Sequence, residues 1–263
     1  GRVDCAGMSA LGELNFRCAN LGGDLFVGDH DELLRRGKFG IGTDGTSLRI
    51  QRATIAGNVN MCGAYLRGQF NAQGIELGGS VVARPSNRFR PAVGGGSDGA
   101  SIWLLSARVR GTVQFTGARM LGALVLEAAQ IGCDLSFATD EKLGHATILG
   151  SATMQSLEVS GTADFTGLHV LGLQARPTPS STTRIPRPVL KARSSRFHSP
   201  LILSNAVVMG DLELMAMRAD ASVEFNGLWL DGDIDLTDAN VTGSVSFSSP
   251  SCSPTLVGGT VRM

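Results

Sequence analysis

No run of 18 consecutive apolar residues occurs in the 263-residue chain, so the sequence offers no membrane-spanning helix. The opening residues, Gly1 to Cys5, lack a charged segment followed by an apolar stretch, and no secretory signal is expected. Cysteine is scarce. Cys5, Cys18, Cys62, Cys133 and Cys252 form no Cys-x-x-Cys pair and are odd in number, which excludes a zinc ribbon and a complete disulfide framework. A reducing, cytoplasmic setting is the expectation. Excess charge is missing too: 23 Lys and Arg balance 23 Asp and Glu. His30, His145, His169 and His198 are far apart in the sequence, none at the i, i+4 spacing of a metal-binding helix. Gly94-Gly95-Gly96 lacks the Lys-Ser/Thr of a phosphate-binding loop and reads as linker. Gly95-Gly96-Ser97-Asp98-Gly99 has nucleophile-elbow spacing but neither a strand before it nor a helix after it. Neither a catalytic set nor a cofactor motif emerges.

What the chain does contain is a period. Leu48, Ile50, Ala53 and Ile55 recur 11 residues later as Val59, Met61, Ala64 and Leu66, then as Phe70, Ala72, Ile75 and Leu77. Ile102 to Ile131 and Leu201 to Val241 keep the same spacing, and shorter blocks open the chain and fill its middle. Within a unit the apolar steps are 2, 3, 2 and 4, which fits neither a helix of period 3.6 nor one continuous strand. Two short strands joined by corners fit. Gly57, Gly68, Gly79, Gly111, Gly122 and Gly232 each precede a unit by two residues, which predicts positive φ or close backbone packing there. Phe115 and Phe137, like Phe225 and Phe247, recur every 22 residues, so two units are expected to form one four-sided coil, with a flat two-sided coil of 11 as the alternative. The fold class expected is all-β: a right-handed parallel β-helix, a solenoid of about 22 residues per coil with loop insertions.

Ala118-Arg119-Met120, Ala129-Gln130-Ile131 and Ala239-Asn240-Val241 resemble the Ala-x-Leu core of pentapeptide-repeat proteins. That resemblance implies a right-handed quadrilateral β-helix. It departs from the family by one extra residue in every second repeat, giving 11 where the family has 10. Because some members of the family mimic DNA and bind topoisomerases, the resemblance also admits that role. A mimic needs acidic surface along its whole length, which zero net charge argues against.

One domain over 1–263 is expected, with insertions near 29–45, 84–100, 140–145 and 176–188. Asp31 to Arg36 has the composition of one or two helical turns. Since Val3, Cys5, Leu256, Val261 and Met263 keep the phase, the chain is expected to be a piece of a longer one or to meet partners at its ends. Asp211, Glu213, Asp233 and Asp235 would stack in a 22-residue coil, a weak candidate for binding Ca²⁺ or a basic partner. Arg176, Arg184, Arg187, Lys191, Arg193 and Arg196 make a basic patch without interleaved aromatics, so nucleic acid is an unfavoured partner. Loops on a rigid scaffold collect binding residues, which singles out Arg84, Arg88 and Arg90; Trp103 and Trp229 take outward phases and could anchor a partner or a sugar. The function expected is a noncatalytic structural or protein-interaction module that binds another protein or its own copies, without a cofactor. A carbohydrate-active or sugar-binding β-helix is the alternative.

Overall fold

A computed structural model describes residues 1–29, 35–142, 144–172, 188–248 and 254–263. Strands of two to four residues pair in parallel with their equivalents one coil away, forming among the described residues four sheets of ten, ten, ten and nine strands. The molecule is a right-handed parallel β-helix, the hand that parallel crossovers favour. Its faces are numbered as the chain meets them: face 1 opens with Val3–Asp4, face 2 with Ser9–Ala10, face 3 with Leu14–Asn15 and face 4 with Asn20–Leu21.

The stretch Val59 to Leu77 shows how the apolar steps make a coil. Val59 and Met61 point inward from face 1, Ala64 and Leu66 from face 2, Phe70 and Ala72 from face 3, and Ile75 and Leu77 from face 4, each at most 2% exposed. The residue between the members of each pair points outward: Asn60, Tyr65, Asn71, which its neighbours cover, and Glu76. Val59 pairs with Val81 rather than Phe70, so the coil has 22 residues. Like stacks on like as a result. Phe115, Phe137 and Phe165 lie with ring centroids 5.4 Å apart, the second pair only 7° from parallel. Each such ring buries apolar area worth roughly 1.5–3 kcal/mol, and offset stacking adds to it.

Corners alternate in construction. Faces 1 to 2 and 3 to 4 are joined by tight hydrogen-bonded turns such as Ala53 N–H to Ile50 carbonyl (3.1 Å) and Ala64 N–H to Met61 carbonyl (3.0 Å). Their third residue is left-handed. At the 3-to-4 corner that residue is seldom glycine: Cys18, Arg52, Ser106, Ala128, Ser156, Ser194, Ala216 and Asp238 hold φ between 53 and 58°. The glycines two residues before each unit occupy the other two corners, where close packing is the reason for them. A Cβ on Gly111 would lie 2.8 Å from the Gly79 backbone of the coil below.

The face-1 partners Val3, Leu25, Val59, Val81, Val113, Leu135, Ala163, Leu201, Val223 and Val245 begin ten successive coils, stepping by 22, 34, 22, 32, 22, 28, 38, 22 and 22 residues. The surplus residues fall at only two corners. Those between faces 1 and 2 carry loops before Lys38–Phe39, Ala92–Val93, Thr147–Ile148 and Leu256–Val257. Those between faces 2 and 3 carry loops before Thr46–Arg49, Ala100–Trp103 and Pro188–Lys191. The stretches 29–45 and 84–100 are therefore not single interruptions, because each contains a face-2 strand whose phase is hidden by a loop on either side. His30, Asp31 to Leu34, Arg176, Arg184, Arg187 and Cys252 lie outside the described residues.

Candidate interaction face

Face 2 is the sheet bordered by inserted corners on both sides. Its outward column runs Ser9, Lys38, Tyr65, Ala92, Arg119, Thr147, His169, Val207, Trp229 and Leu256, each paired with the next. The column changes character along its length, from basic in the early coils to apolar in the late ones.

Alternate coils supply the ridge along the face 1-to-2 corner. Coils two, four and six carry insertions, and their loops close over the short corners between them. Gly63 lies beneath Asp29 and Ser86, and Gly117 beneath Pro85 and Asp140; a Cβ at either would come within 3.0 Å of those neighbours. Two arginines tie the ridge together. Arg36 donates from Nε to the Gly63 carbonyl (2.8 Å) and from Nη2 to the Arg90 carbonyl (2.5 Å), with its guanidinium over Tyr65 and Phe89. Arg90 repeats the pattern two coils on, donating to the Gly117 and His145 carbonyls. Partial burial draws both guanidiniums below the usual arginine value.

The opposite ridge consists of a repeated motif, Gly40-Ile41-Gly42-Thr43-Asp44-Gly45 and Gly94-Gly95-Gly96-Ser97-Asp98-Gly99. The two loops meet across the uninserted third coil, where Ser97 Oγ donates to the Asp44 carbonyl (2.8 Å) and Gln69 Nε2 donates to Asp98 Oδ1 (3.0 Å). Ser97 is thus a loop-tying hydroxyl. Beneath the loops, Ser47 and Ser101 are buried and accept the N–H of Gly68 (2.7 Å) and Gly122 (2.6 Å). Arg49 clamps the first loop, pairing with Glu13 at 2.7 Å and with Asp44; its bond to Asp44, with those from Thr46, holds that carboxyl below its usual range.

Beyond the ridges the face opens. Leu121, Trp229 and Leu256 are 45%, 45% and 52% exposed, and Leu149, Leu171, Val207 and Met209 are half-buried along the same strip. Leu11 and Ile41 add exposed apolar side chains at the margin of face 2, and the remaining large ones, Val245, Val261 and Met263, belong with Leu256 to the last coil.

Of the residues singled out from sequence, Arg84 and Arg88 are exposed on the ridge, Arg90 is half-buried in it, and Trp229 stands on face 2 itself. Trp103 lies apart, half-buried on face 3 between Asn71 and Val125. The four acids also stand on face 3, with Glu213 directly paired with Asp235. They are engaged: Asp211 Oδ1 accepts the Asp233 N–H (3.1 Å), Asp233 Oδ1 accepts the Thr260 N–H (2.7 Å), Arg193 pairs with Glu213 (2.7 Å) and Arg262 with Asp233 (3.2 Å). Bonds from Thr237, aided by Arg262 and Arg193, draw the Asp235 carboxyl below the usual carboxylate range. Among the described residues no group of three or more His, Cys, Asp or Glu side chains is placed to share a metal ion.

Two things went unseen in the sequence. The stacked loops are visible as a G-x-G-[ST]-D-G repeat 54 residues apart, a signal concealed because 54 is not a multiple of 11. His145 and His169 come together with ring centroids 4.2 Å apart, since one coil separates Thr147 from His169 and His145 precedes Thr147 by two residues. No helix among the described residues is long and apolar enough to cross a membrane. Comparison with protein-family models, curated proteins and solved structures finds no match to this chain.

Proposed function

We propose that the chain is a noncatalytic protein-interaction module that docks a partner along face 2. One observation carries the reading: the loops inserted into the solenoid, and the exposed apolar side chains Leu11, Ile41, Leu121 and Trp229 with Leu256 of the last coil, gather at this face and its margins. A solvated sheet has no use for Leu121, Trp229 and Leu256 in one strip, whereas an interface places such side chains at its centre behind a polar rim. Arg84, Arg88, Lys38 and Arg67 supply that rim at the basic end. The sugar-binding reading fits less well, because the acids of face 3 are engaged by backbone N–H groups and by Arg193 and Arg262.

A relationship to pentapeptide-repeat proteins is part of the proposal, supported by the four-sided coil and by Ala118 and Ala129 packed inward at 0 and 2% exposure. So is a reducing, cytoplasmic location, supported by four unpaired cysteines, Cys5, Cys18, Cys62 and Cys133. A photo-cross-linking residue placed at Leu121 or Trp229 should give specific adducts in cells. The same residue at Gln130 on face 4 should give none. Equal adducts from both faces, or adducts from neither, reject face 2 as the docking surface. Adducts between two copies of the chain identify self-association as the mode of docking.

A further inference from the structure

Four coils each send one basic side chain to the same spot on face 2. Arg119, Thr147 and His169 are successive outward residues, each paired with the next. His145 sits two residues before Thr147, its ring stacked on that of His169 at 4.2 Å and 17°. Arg90 arrives from the loop two coils below, its Nη2 3.2 Å from Thr147 Oγ1. The ion pairs among the described residues all lie elsewhere, at Arg2, Arg49, Arg108, Arg193, Arg196, His198 and Arg262.

The Gly117 and His145 carbonyls accept from Arg90 and offset part of this charge, leaving its other guanidinium N–H groups, Arg119 and the two rings to face solvent. Val207 follows His169 in the column and brings no charge. On the insertion that ends at His145, Asp140 accepts the Lys142 N–H (2.9 Å), Glu141 and Lys142 are exposed, and Thr139 Oγ1 lies 3.0 Å from His145 Nδ1. Burial first, then His145 and Arg90, push the His169 imidazole below the usual histidine value. Arg119 acts on Arg90 in the same direction. Like charges held together at a surface are costly unless an anion joins them.

We propose that Arg90, Arg119, His145 and His169 form a binding site for a phosphate group, with the Thr147 hydroxyl, which accepts from Arg90 and donates to the His145 carbonyl, holding Arg90 in place. A dianion with several acceptor oxygens matches two guanidiniums and two imidazoles better than a carboxylate does. Its second proton leaves near pH 6, where histidine also titrates, so binding and imidazole protonation reinforce each other. The site does not depend on protein docking along face 2 and can be tested without a partner. The phosphate comes either from the free anion or from a phosphorylated side chain, two sources with the same oxygens.

The experiment is an NMR titration of the histidine rings in the whole chain with inorganic phosphate, with calorimetry in parallel. Phosphate should raise the pH at which His169 protonates and perturb the ring signals of His145, because a ligand that prefers the protonated site stabilises it. Arg119→Gln should weaken phosphate binding about tenfold or more, the effect of a lost charge-assisted hydrogen bond. Arg108→Gln, on face 4, should leave it unchanged. A phosphoserine peptide binding more tightly than inorganic phosphate assigns the site to a phosphorylated protein; equal or weaker binding assigns it to the free anion. An unmoved His169 midpoint, acetate binding as tightly as phosphate, or an Arg119→Gln variant with unreduced affinity would each overturn the proposal.

Discussion

Faces 2 and 4 are opposite sides of one core, built by the same alternation of inward and outward residues, yet they differ in everything outside it. Face 4 presents Asn20, Thr54, Glu76, Arg108, Gln130, Glu158, Arg196, Arg218 and Asn240, a column without one apolar member. It carries its own polar network, in which His198 lies 3.0 Å from both Glu158 and Asp220, and Arg196 pairs with Asp220. Neither of its flanking corners gains or loses a residue. Face 2 has insertions at both corners, basic residues early and exposed apolar residues late. The core therefore leaves outward positions nearly free to vary, and of these two faces only face 2 departs from an ordinary solvated surface.

The two faces can be set against each other first from inside. Ile148 lines the core under face 2 and Ile131 under face 4, both within 2% of full burial. Ile148→Ala and Ile131→Ala should each cost about 2–5 kcal/mol, read by urea denaturation. Similar costs mean the faces differ only in their outer residues; a much smaller cost under one of them would show that the core itself is unequal.

Next comes docking. Trp229→Asp combined with Leu121→Asp should weaken partner binding by roughly thirtyfold or more, as loss of a buried apolar anchor does. Gln130→Asp on face 4 should leave affinity as it was, and the melting temperature of both variants should stay close to that of the parent.

Acid should separate the faces by pH. With its folded value below its unfolded one, His169 contributes stability that is complete above the ordinary histidine value and declines as pH falls through it. The Asp220 carboxyl is held low, chiefly by Arg196 and then by His198, so its contribution is complete above the ordinary aspartate value and is lost at lower pH still. In stability-against-pH curves, His169→Asn should flatten the upper step and Asp220→Asn the lower. A single step removed by either substitution would contradict this assignment.

The smallest effect belongs to the exposed pair Glu76 and Arg108 on face 4, 3.6 Å apart. Arg108→Ala should change stability by no more than about 0.5 kcal/mol, because solvent screens such a pair. A loss of several times that size would mean face 4 is a structural face rather than a solvated one.

Inward positions were legible because they obey one rule. Val59, Phe70 and Val113 follow from spacing alone and are at most 1% exposed. Wherever a loop interrupted the spacing, legibility failed: the face-2 strands Lys38–Phe39 and Ala92–Val93 are flanked on both sides by inserted residues and read as interruption. The candidate face was legible only in pieces. Trp229 and Arg90 stood out as outward or loop residues, but placing them on the same face requires knowing how many residues each coil consumes. The left-handed residues at the 3-to-4 corner carried no signal, since Arg52, Ser106 and Ala128 have no preference for positive φ and are held there by the turn around them.

Sequence by itself determined which side chains turn inward, because a strand puts neighbours on opposite sides and a constant step repeats that choice coil after coil. Tertiary structure decided what the outward side chains meet. His145 beside His169, Arg90 over the Gly117 corner and the loop at Asp44 against that at Ser97 all bring together residues from different coils, and variable insertions make those separations unreadable along the chain.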